Sequence, residues 1–570
     1  MRHLSNFSSV SLSRLLVVAG RRGVRGAQLL ALGALLASPS GAAAGSPPFV
    51  ETVSLIAQHE GENANDNFGF VNRFIGDVDN DGTNDYAVGV PNYSVGGTNR
   101  GKVYVFSGAT GDTIRTHTKG AGAFFGYEVA GVGDVNGDGH ADYAACAPRT
   151  RTFTGISGAA RAFLFSGIDG AQLHVWRAED YGIQPFEGWA AQVAGVGNVF
   201  QDGVGDLNND GTPDILLSCL LKAVNGPLVG RVYAFSGADF DSVLFTVDGD
   251  TGVGLFGFGM GGVGDLDNDG HADFVVGASS AGADGRGRAY VYRGVDGTQF
   301  PWSPLVPDST GLNFGALFAK GPGDVDGDGT PDVYVSDLGD SENGASAGKA
   351  YVFSGVDGSV IHRFLGEGPG AGFGVGRGCR DVDGDGQGDL FIAAFTDNGV
   401  ANQAGKAYVI SGATGTTLRT ITNTVEGDQF GYSAVGIGDI NGDGSPDFLI
   451  SAINHDAAGE NAGRVYVIAG EPAPTGVATL PAAALELRVF PNPTTHAARL
   501  SFSLRRESDV QVRLVDVTGR RVAEVWRGRL ASGAHELGSE RSLAGVAPGR
   551  YWFVVETNEG TAAQPVTVLR

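Results

Sequence analysis

The phrase GDVDGDGTPD at Gly323–Asp332 sets four carboxylates within ten residues, and close copies of it occur seven times along the chain. Their first aspartates are Asp77, Asp134, Asp206, Asp265, Asp324, Asp381 and Asp439, so the steps are 57, 72, 59, 59, 57 and 58 residues. A fixed period of this kind marks a repeat architecture, in which each unit is one supersecondary motif that buries its core against its neighbours. The one long step holds extra sequence around Ala178–Gly205.

Each unit has the same grammar. An aromatic-Gly pair opens it, at Phe68-Gly69, Phe125-Gly126, Phe256-Gly257, Phe314-Gly315, Phe373-Gly374 and Phe430-Gly431; the third unit departs with Gly188-Trp189. The acidic loop follows, then a short apolar run (YAVGV, YAACA, ILLSC, FVVGA, VYVSD, LFIAA, FLISA) and a closing run such as GKVYVFSG at Gly101 or GKAYVFSG at Gly348. Runs of five to seven β-branched or aromatic residues bounded by Gly, Asp and Asn are strands. About 60 residues leave room for about four short strands, the size of a propeller blade, and seven units fall within the range of closed rings. Open solenoids carry atypical capping repeats at their ends. Here the first and last units read as complete as the middle ones, so the expectation is an all-β chain whose residues 50–470 form a seven-bladed β-propeller.

Within the loop, numbered from its first Asp, positions 1, 3, 5 and 9 are Asp or Asn, position 6 is always Gly and position 2 is always aliphatic. Gly at position 6 permits the turn that returns position 9 to the other acids. Such convergent hard oxygens, completed by the backbone carbonyl of position 7, suit Ca²⁺ better than the tighter octahedron of Mg²⁺. The expected ligands are Asp77, Asp79, Asp81, Thr83 and Asp85; Asp134, Asn136, Asp138, His140 and Asp142; Asp206, Asn208, Asp210, Thr212 and Asp214; Asp265, Asp267, Asp269, His271 and Asp273; Asp324, Asp326, Asp328, Thr330 and Asp332; Asp381, Asp383, Asp385, Gln387 and Asp389; and Asp439, Asn441, Asp443, Ser445 and Asp447. Up to seven structural ions follow. The loops carrying Asn136, Asn208 and Asn441 have three carboxylates instead of four and are expected to bind more weakly. An EF-hand is excluded, because its position 12 needs a bidentate Glu, and position 12 here is Val88, Ala145, Leu217, Val276, Val335, Ile392 and Ile450.

The Phe-Gly pair, the D-x-D-x-D-G-x-x-D loop and the Tyr-Val-Phe-Ser-Gly strand resemble the FG-GAP repeats of the integrin α-subunit β-propeller over about residues 50–470. That resemblance implies Ca²⁺ bound through side chains at positions 1, 3, 5 and 9 and the carbonyl at 7, and a role in adhesion or binding. The Gly-Ala-Pro element is degenerate here, surviving as GVP at Gly89 and CAP at Cys146.

The flanks differ from the repeats. Residues 1–44 carry five arginines and no acid, then LLALGALLA and small residues to Ala44, the order of a secretory signal peptide. EPAPTGVATLPAAA at 471–484 is a Pro/Ala-rich linker. From 485 to 570 the strand candidates LELRVF, ARLSFSL, DVQVRLVDV, RRVAEVW, RYWFVVET and PVTVLR predict a small β-sandwich. With FPNP at Phe490, VDVTGRRV at Val515 and GVAPGRYWFVV at Gly545, this segment resembles the C-terminal sorting domains of the bacterial type nine secretion route and hook-capping-type Ig-like domains, which implies export machinery as a partner.

A net charge of −24 argues against a nucleic-acid partner, whose phosphates such a surface repels. Three cysteines are too few for a disulfide framework, and Cys146 and Cys219 sit in apolar strands as buried thiols. No segment after the leader is long and apolar enough to span a membrane as a helix. HEGEN at His59 and HELGS at His535 lack the second His of a zinc protease, and GGTNRGKV at Gly96 lacks the Ser or Thr of a P-loop. No catalytic motif is found, so the reading is no enzyme. Two classes remain: an exported or cell-surface module binding extracellular protein or polysaccharide, and a polysaccharide lyase or hydrolase built on the same ring. The insertion aromatics Trp176, Tyr181, Phe186 and Trp189 are candidates for a binding face.

Overall fold

The computed structural model describes residues 48–569 apart from short segments, chiefly 149–159, 184–188, 195–204, 471–486, 516–520 and 539–545. The signal-peptide and linker readings and Phe186 therefore lie outside the described residues. Nearly all regular structure is β; a single 3₁₀ turn at Ala178–Tyr181 is the one helical element described.

Between Leu55 and Ile468 the repeats fold into seven antiparallel sheets of three or four strands, with a two-stranded ribbon of Ser94–Val95 and Thr98–Asn99 besides. In the fifth, Phe314–Gly323, Asp332–Asp337, Lys349–Phe353 and Val360–Leu365 pair in chain order. The first strand of every sheet lies against the first strands of the sheets before and after it, and the seventh meets the first, so these strands ring a common axis. That arrangement fits a β-propeller. The second strands, Asp85–Val90 and its equivalents, are buried at every residue because neighbouring sheets cover both faces. This is why they read as unbroken apolar runs rather than alternating ones.

The fourth strands are polar and alternate, as in Thr113–Thr118 and Val360–Leu365, since one face meets solvent. The fourth sheet has only three strands. After Tyr292 the chain meets Pro301, Pro304 and Pro307, which cannot donate to a ladder, and it makes only isolated bridges at Gln299 and Leu305.

The seventh unit is not complete in the way its sequence suggests. Its fourth strand is supplied by Leu55–Glu60 from the start of the described chain, antiparallel to Arg464–Ile468 with Gln58 opposite Tyr466 and His59 opposite Val465. A second seam uses the aromatic-Gly pair. The Gly that begins each closing run docks on the Phe of the next unit: Gly101 bridges Phe125, Gly287 bridges Phe314, Gly348 bridges Phe373 and Gly405 bridges Phe430. A Cβ at Gly348 would stand 2.1 Å from the Phe373 carbonyl oxygen, so the contact admits Gly alone. The same fit joins the ends of the ring, where a Cβ at Gly463 would lie 2.4 Å from the Phe68 nitrogen. Ala160 stands at this position in the second unit, opposite the third unit that lacks Phe-Gly.

Residues 488–568 form two further sheets, one of Arg488–Phe490, Arg499–Leu504 and Gly533–Gly538, the other of Arg521–Leu530, Ser508–Val515, Gly549–Thr557 and Gly560–Val568. Leu500 and Phe502 of the first share a core with Val512, Phe553 and Val566 of the second. Gly533–Gly538 was not among the expected strands: GAHELG is polar and largely exposed, and it contains the HELG that imitates a protease motif.

Candidate metal centres

Each acidic loop joins the first strand of its sheet to the second, so all seven lie on one rim. Their conformation repeats closely. Gly at position 6 takes φ between 89° and 93° in all seven, from Gly82 at 91° to Gly444 at 90°. Position 4 is also left-handed throughout (Asn80 58°, Gly137 71°, Asn209 57°, Asn268 57°, Gly327 77°, Gly384 79°, Gly442 75°), which explains why it is always Asn or Gly. Six loops are entered through a left-handed Gly, while in the sixth Arg380 takes φ 69° at that place.

The aspartate at position 1 closes the turn on itself. Asp77 accepts the backbone N–H groups of Asp81 (3.1 Å) and Gly82 (2.8 Å), and Asp134, Asp206 and Asp265 repeat both bonds. The aspartate at position 9 does different work. One oxygen of Asp332 accepts the N–H of Val325 at position 2 (2.8 Å), and the other accepts the N–H of Gly355, the Gly that ends the closing run (3.1 Å). Asp85, Asp142, Asp214, Asp273, Asp389 and Asp447 make the same pair of bonds, Asp447 to Ile440 and Gly470. Position 9 is thus a clasp that ties the loop to the far end of the third strand. Sequence reasoning took it for a ligand alone; the Gly that ends every closing run was the signal of its second role.

All seven clasp aspartates are fully buried. Burial pushes Asp85, Asp273 and Asp332 up to about 7, Asp389 to about 8, and Asp142, Asp214 and Asp447 to about 6, against the opposing pull of the two N–H donors. An ionised carboxylate in such a place calls for a counter-charge.

Acids that a metal ion could gather are found in four loops: Asp77, Asp79 and Asp85; Asp265, Asp267 and Asp269; Asp324, Asp326 and Asp332; Asp381, Asp383 and Asp385, each set offering oxygens within 4.8 Å of one another. These are the four loops with four carboxylates. In the other three the Asn side chain donates to a neighbouring acid instead, Asn136 to Asp138 (2.9 Å), Asn208 to Asp210 (2.9 Å) and Asn441 to Asp447 (3.2 Å), so the loop partly neutralises itself. The fourth loop departs from a simple carboxylate count. Its closing run ends in RG where the others end in SG or AG, and the Arg293 Nε donates to Asp267 at 2.8 Å, placing a guanidinium where a cation would sit.

The position-7 residues turn outward to their neighbours. The Nδ1 of His140 lies 2.9 Å from the carbonyl oxygen of Val78, and that of His271 lies 2.6 Å from Leu207, each reaching the preceding loop. Backbone N–H groups at position 8 do likewise, Ala141 to Asp77, Ala272 to Asp206 and Gly388 to Asp324. Pro213, Pro331 and Pro446 hold that position in three other loops and have no N–H to give. These bonds pair the first loop with the second, the third with the fourth and the fifth with the sixth.

Other candidates fall elsewhere. Trp176 is fully buried and donates its indole N–H to Phe240, so it is not on a binding face, while the half-buried Tyr181 packs on Tyr233 and Phe235. His59 lies 2.8 Å from the Tyr86 hydroxyl and stacks on Phe106. Cys146, Cys219 and Cys379 are buried free thiols. Among the described residues no helix is long and apolar enough to cross a membrane.

An FG-GAP-like repeat model matches residues 265–335, and the FG-GAP repeat matches residues 430–468. The chain is 27% identical over 233 residues to integrin alpha-5 of Xenopus laevis, covering 38% of this chain and 20% of that protein. It is 31% identical over 288 residues to integrin alpha-8 of Gallus gallus, covering 48% of this chain and 24% of that one. The match thus spans a quarter or less of either relative. Among solved structures, a rhamnogalacturonan lyase aligns over 74% of each chain at 14% identity and a TM-score of 0.37. The chain carries integrin α-like FG-GAP repeats in a fold that fits a β-propeller.

Proposed function

We propose that this chain is an exported, calcium-stabilised seven-bladed FG-GAP propeller that serves as a binding or adhesion module for extracellular protein or polysaccharide, followed by an Ig-like C-terminal domain that engages the export machinery. The observation that carries the calcium reading is the clasp: seven buried position-9 carboxylates, each spent on two backbone donors and each needing a positive neighbour. Ca²⁺ supplies that charge and takes the remaining carboxylate oxygens and the position-7 carbonyl as hard ligands. The loops with Asp at positions 1, 3, 5 and 9 would hold it best.

Binding is assigned to the opposite rim. The loop rim is fixed in conformation seven times over, whereas the connections between second and third strands differ in sequence from unit to unit. Variable loops on a rigid frame are where recognition is carried. The test is a panel of glycans and matrix proteins probed with the calcium-loaded protein and again after chelation, with polysaccharide size and ultraviolet absorbance followed in parallel. Retention of a ligand without change in its size supports the module; depolymerisation moves the assignment to an enzyme.

A further inference from the structure

The acidic loops differ at position 8, and the differences alternate around the rim. Pro213, Pro331 and Pro446 hold it in the third, fifth and seventh loops, and Ala141, Ala272 and Gly388 in the second, fourth and sixth. Each of the latter donates its backbone N–H to the position-1 carbonyl oxygen of the loop before it: Ala141 to Asp77 (3.0 Å), Ala272 to Asp206 (3.0 Å) and Gly388 to Asp324 (2.9 Å). Pro has no N–H, so the third loop cannot reach the second in this way, nor the fifth the fourth, nor the seventh the sixth. Among the described residues, Asn84 of the first loop makes no such bond to Asp439 of the seventh. Three pairs and one solitary loop result.

Each bond belongs to a longer chain. The carbonyl of His140 and the N–H of Ala141 are the two ends of one planar peptide group, and so are the carbonyl of Asp77 and the N–H of Val78. Val78 donates in turn to the clasp carboxylate of Asp85 (2.8 Å). The run therefore passes from the position-7 carbonyl of the second loop, through two peptide groups, to the clasp of the first. It recurs from His271 through Ala272, Asp206 and Leu207 to Asp214 (2.7 Å), and from Gln387 through Gly388, Asp324 and Val325 to Asp332 (2.8 Å). In the first two pairs the imidazoles of His140 and His271 add a second link, to the carbonyls of Val78 and Leu207. In the third pair the Gln387 side chain lies against the fifth loop, where a Cβ at Gly327 would stand 2.9 Å from its Nε2.

We propose that the calcium loops act as three coupled pairs, first with second, third with fourth and fifth with sixth, while the seventh binds alone. The inference rests on the calcium reading above. An ion that takes the position-7 carbonyl of the second loop draws electron density from that peptide group and makes its N–H a stronger donor. Hydrogen bonds in a chain polarise one another in the same sense. The peptide group at the receiving end is tied to two expected ligands of the first loop, Asp77 by the chain and Asp85 by the bond from Val78. Filling either loop thus fixes a peptide group that the other needs in place, and the coupling has the same size in both directions. In the first two pairs a loop of four carboxylates is joined to one of three, so the stronger site supports the weaker. The seventh loop has three carboxylates and no partner, and it fills last.

The experiment is calorimetric titration of the full chain with Ca²⁺, using two matched variants. D81A and D443A each remove an exposed position-5 carboxylate that accepts one neighbouring N–H, from Thr83 (2.8 Å) and Ser445 (2.9 Å). D443A is expected to lose one equivalent and to leave the rest of the isotherm unchanged. D81A loses one equivalent and weakens a second about five-fold or more. A141P gives the second loop the residue that three other loops already carry; it keeps every ligand and weakens the same pair by a similar factor. A D81A isotherm that differs from the parent by one lost equivalent and nothing else overturns the pairing, as does parental binding in A141P. So does a D443A isotherm in which a second equivalent weakens as much as in D81A. Any of these leaves the calcium reading standing, whereas a parent that takes up no calcium ends both.

Discussion

Substituting the fifth clasp, Asp332→Ala, separates the two jobs of position 9. The carboxylate accepts the N–H groups of Val325 and Gly355, and it is fully buried. Removing it leaves two buried donors without an acceptor, at about 1–3 kcal/mol each, so about 4 kcal/mol is lost whether or not calcium is present. A calcium term is lost as well. With Kd near 0.1 mM and ~1 mM Ca²⁺, one ion contributes about 1.4 kcal/mol. Asp328→Ala at position 5 is the control. Its carboxylate is exposed and accepts only the Thr330 N–H (2.8 Å), so it loses the calcium term and little else.

The assay is thermal unfolding of both variants in 1 mM Ca²⁺ and in excess EDTA. For about 420 residues with an unfolding entropy of ~2.1 cal/mol/K per residue, 1 kcal/mol moves Tm by about 1 °C. Asp332→Ala is expected to melt about 6 °C below the parent in calcium and about 4 °C below it in EDTA. Asp328→Ala is expected to melt 1–2 °C lower in calcium and at the parental temperature in EDTA, to within about half a degree. Equal losses for the two variants in both buffers would refute the clasp. A parent whose own Tm does not move with EDTA would refute the calcium reading, which gives a total of about 10 kcal/mol over seven sites.

Two further outcomes follow from the loops. The clasp carboxyls have folded-state pKa values raised to between about 6 and about 8, so without metal their contribution is present below the unfolded value near 4 and is lost as pH rises through 6–8. In EDTA the Tm should therefore fall between pH 5.5 and 8, while the gain from calcium, which holds the ionised form, grows over the same window; a gap constant with pH contradicts this. In the fourth loop, Arg293→Ser restores the residue found in the equivalent place at Ser354 and frees Asp267. Loss of a part-exposed pair worth about 0.5–1 kcal/mol should tighten calcium binding there roughly two- to five-fold, measured as bound calcium per chain at a fixed sub-saturating concentration.

The period, the strands of the first three positions and the loop ligands were legible because each is enforced by local chemistry. Gly at position 6 is read directly from the turn, and apolar runs such as FLISA can only be buried. The fourth strands were legible only as length, since TIRTHT and VIHRFL carry too few apolar residues to announce themselves. Ring closure was not legible. LIAQHE at Leu55–Glu60 looks like a lead-in to the first repeat, and only its register against Arg464–Ile468 makes it the last strand of the seventh sheet.

The two rims divide the work. On one, every backbone feature of the loop is used: position 1 closes the turn, positions 4 and 6 turn left-handed, position 9 clasps the third strand, and the position-8 N–H of three loops reaches the preceding loop. An ion bound there would take the loop's own carboxylate oxygens as ligands. Any recognition by the other rim would depend on calcium only through the fold, because an opened clasp loosens the strand that positions the next Gly–Phe seam. Ligand binding and cooperative melting should then be lost at the same calcium concentration. Direct metal bridging to a ligand would instead abolish binding while the melt stayed intact.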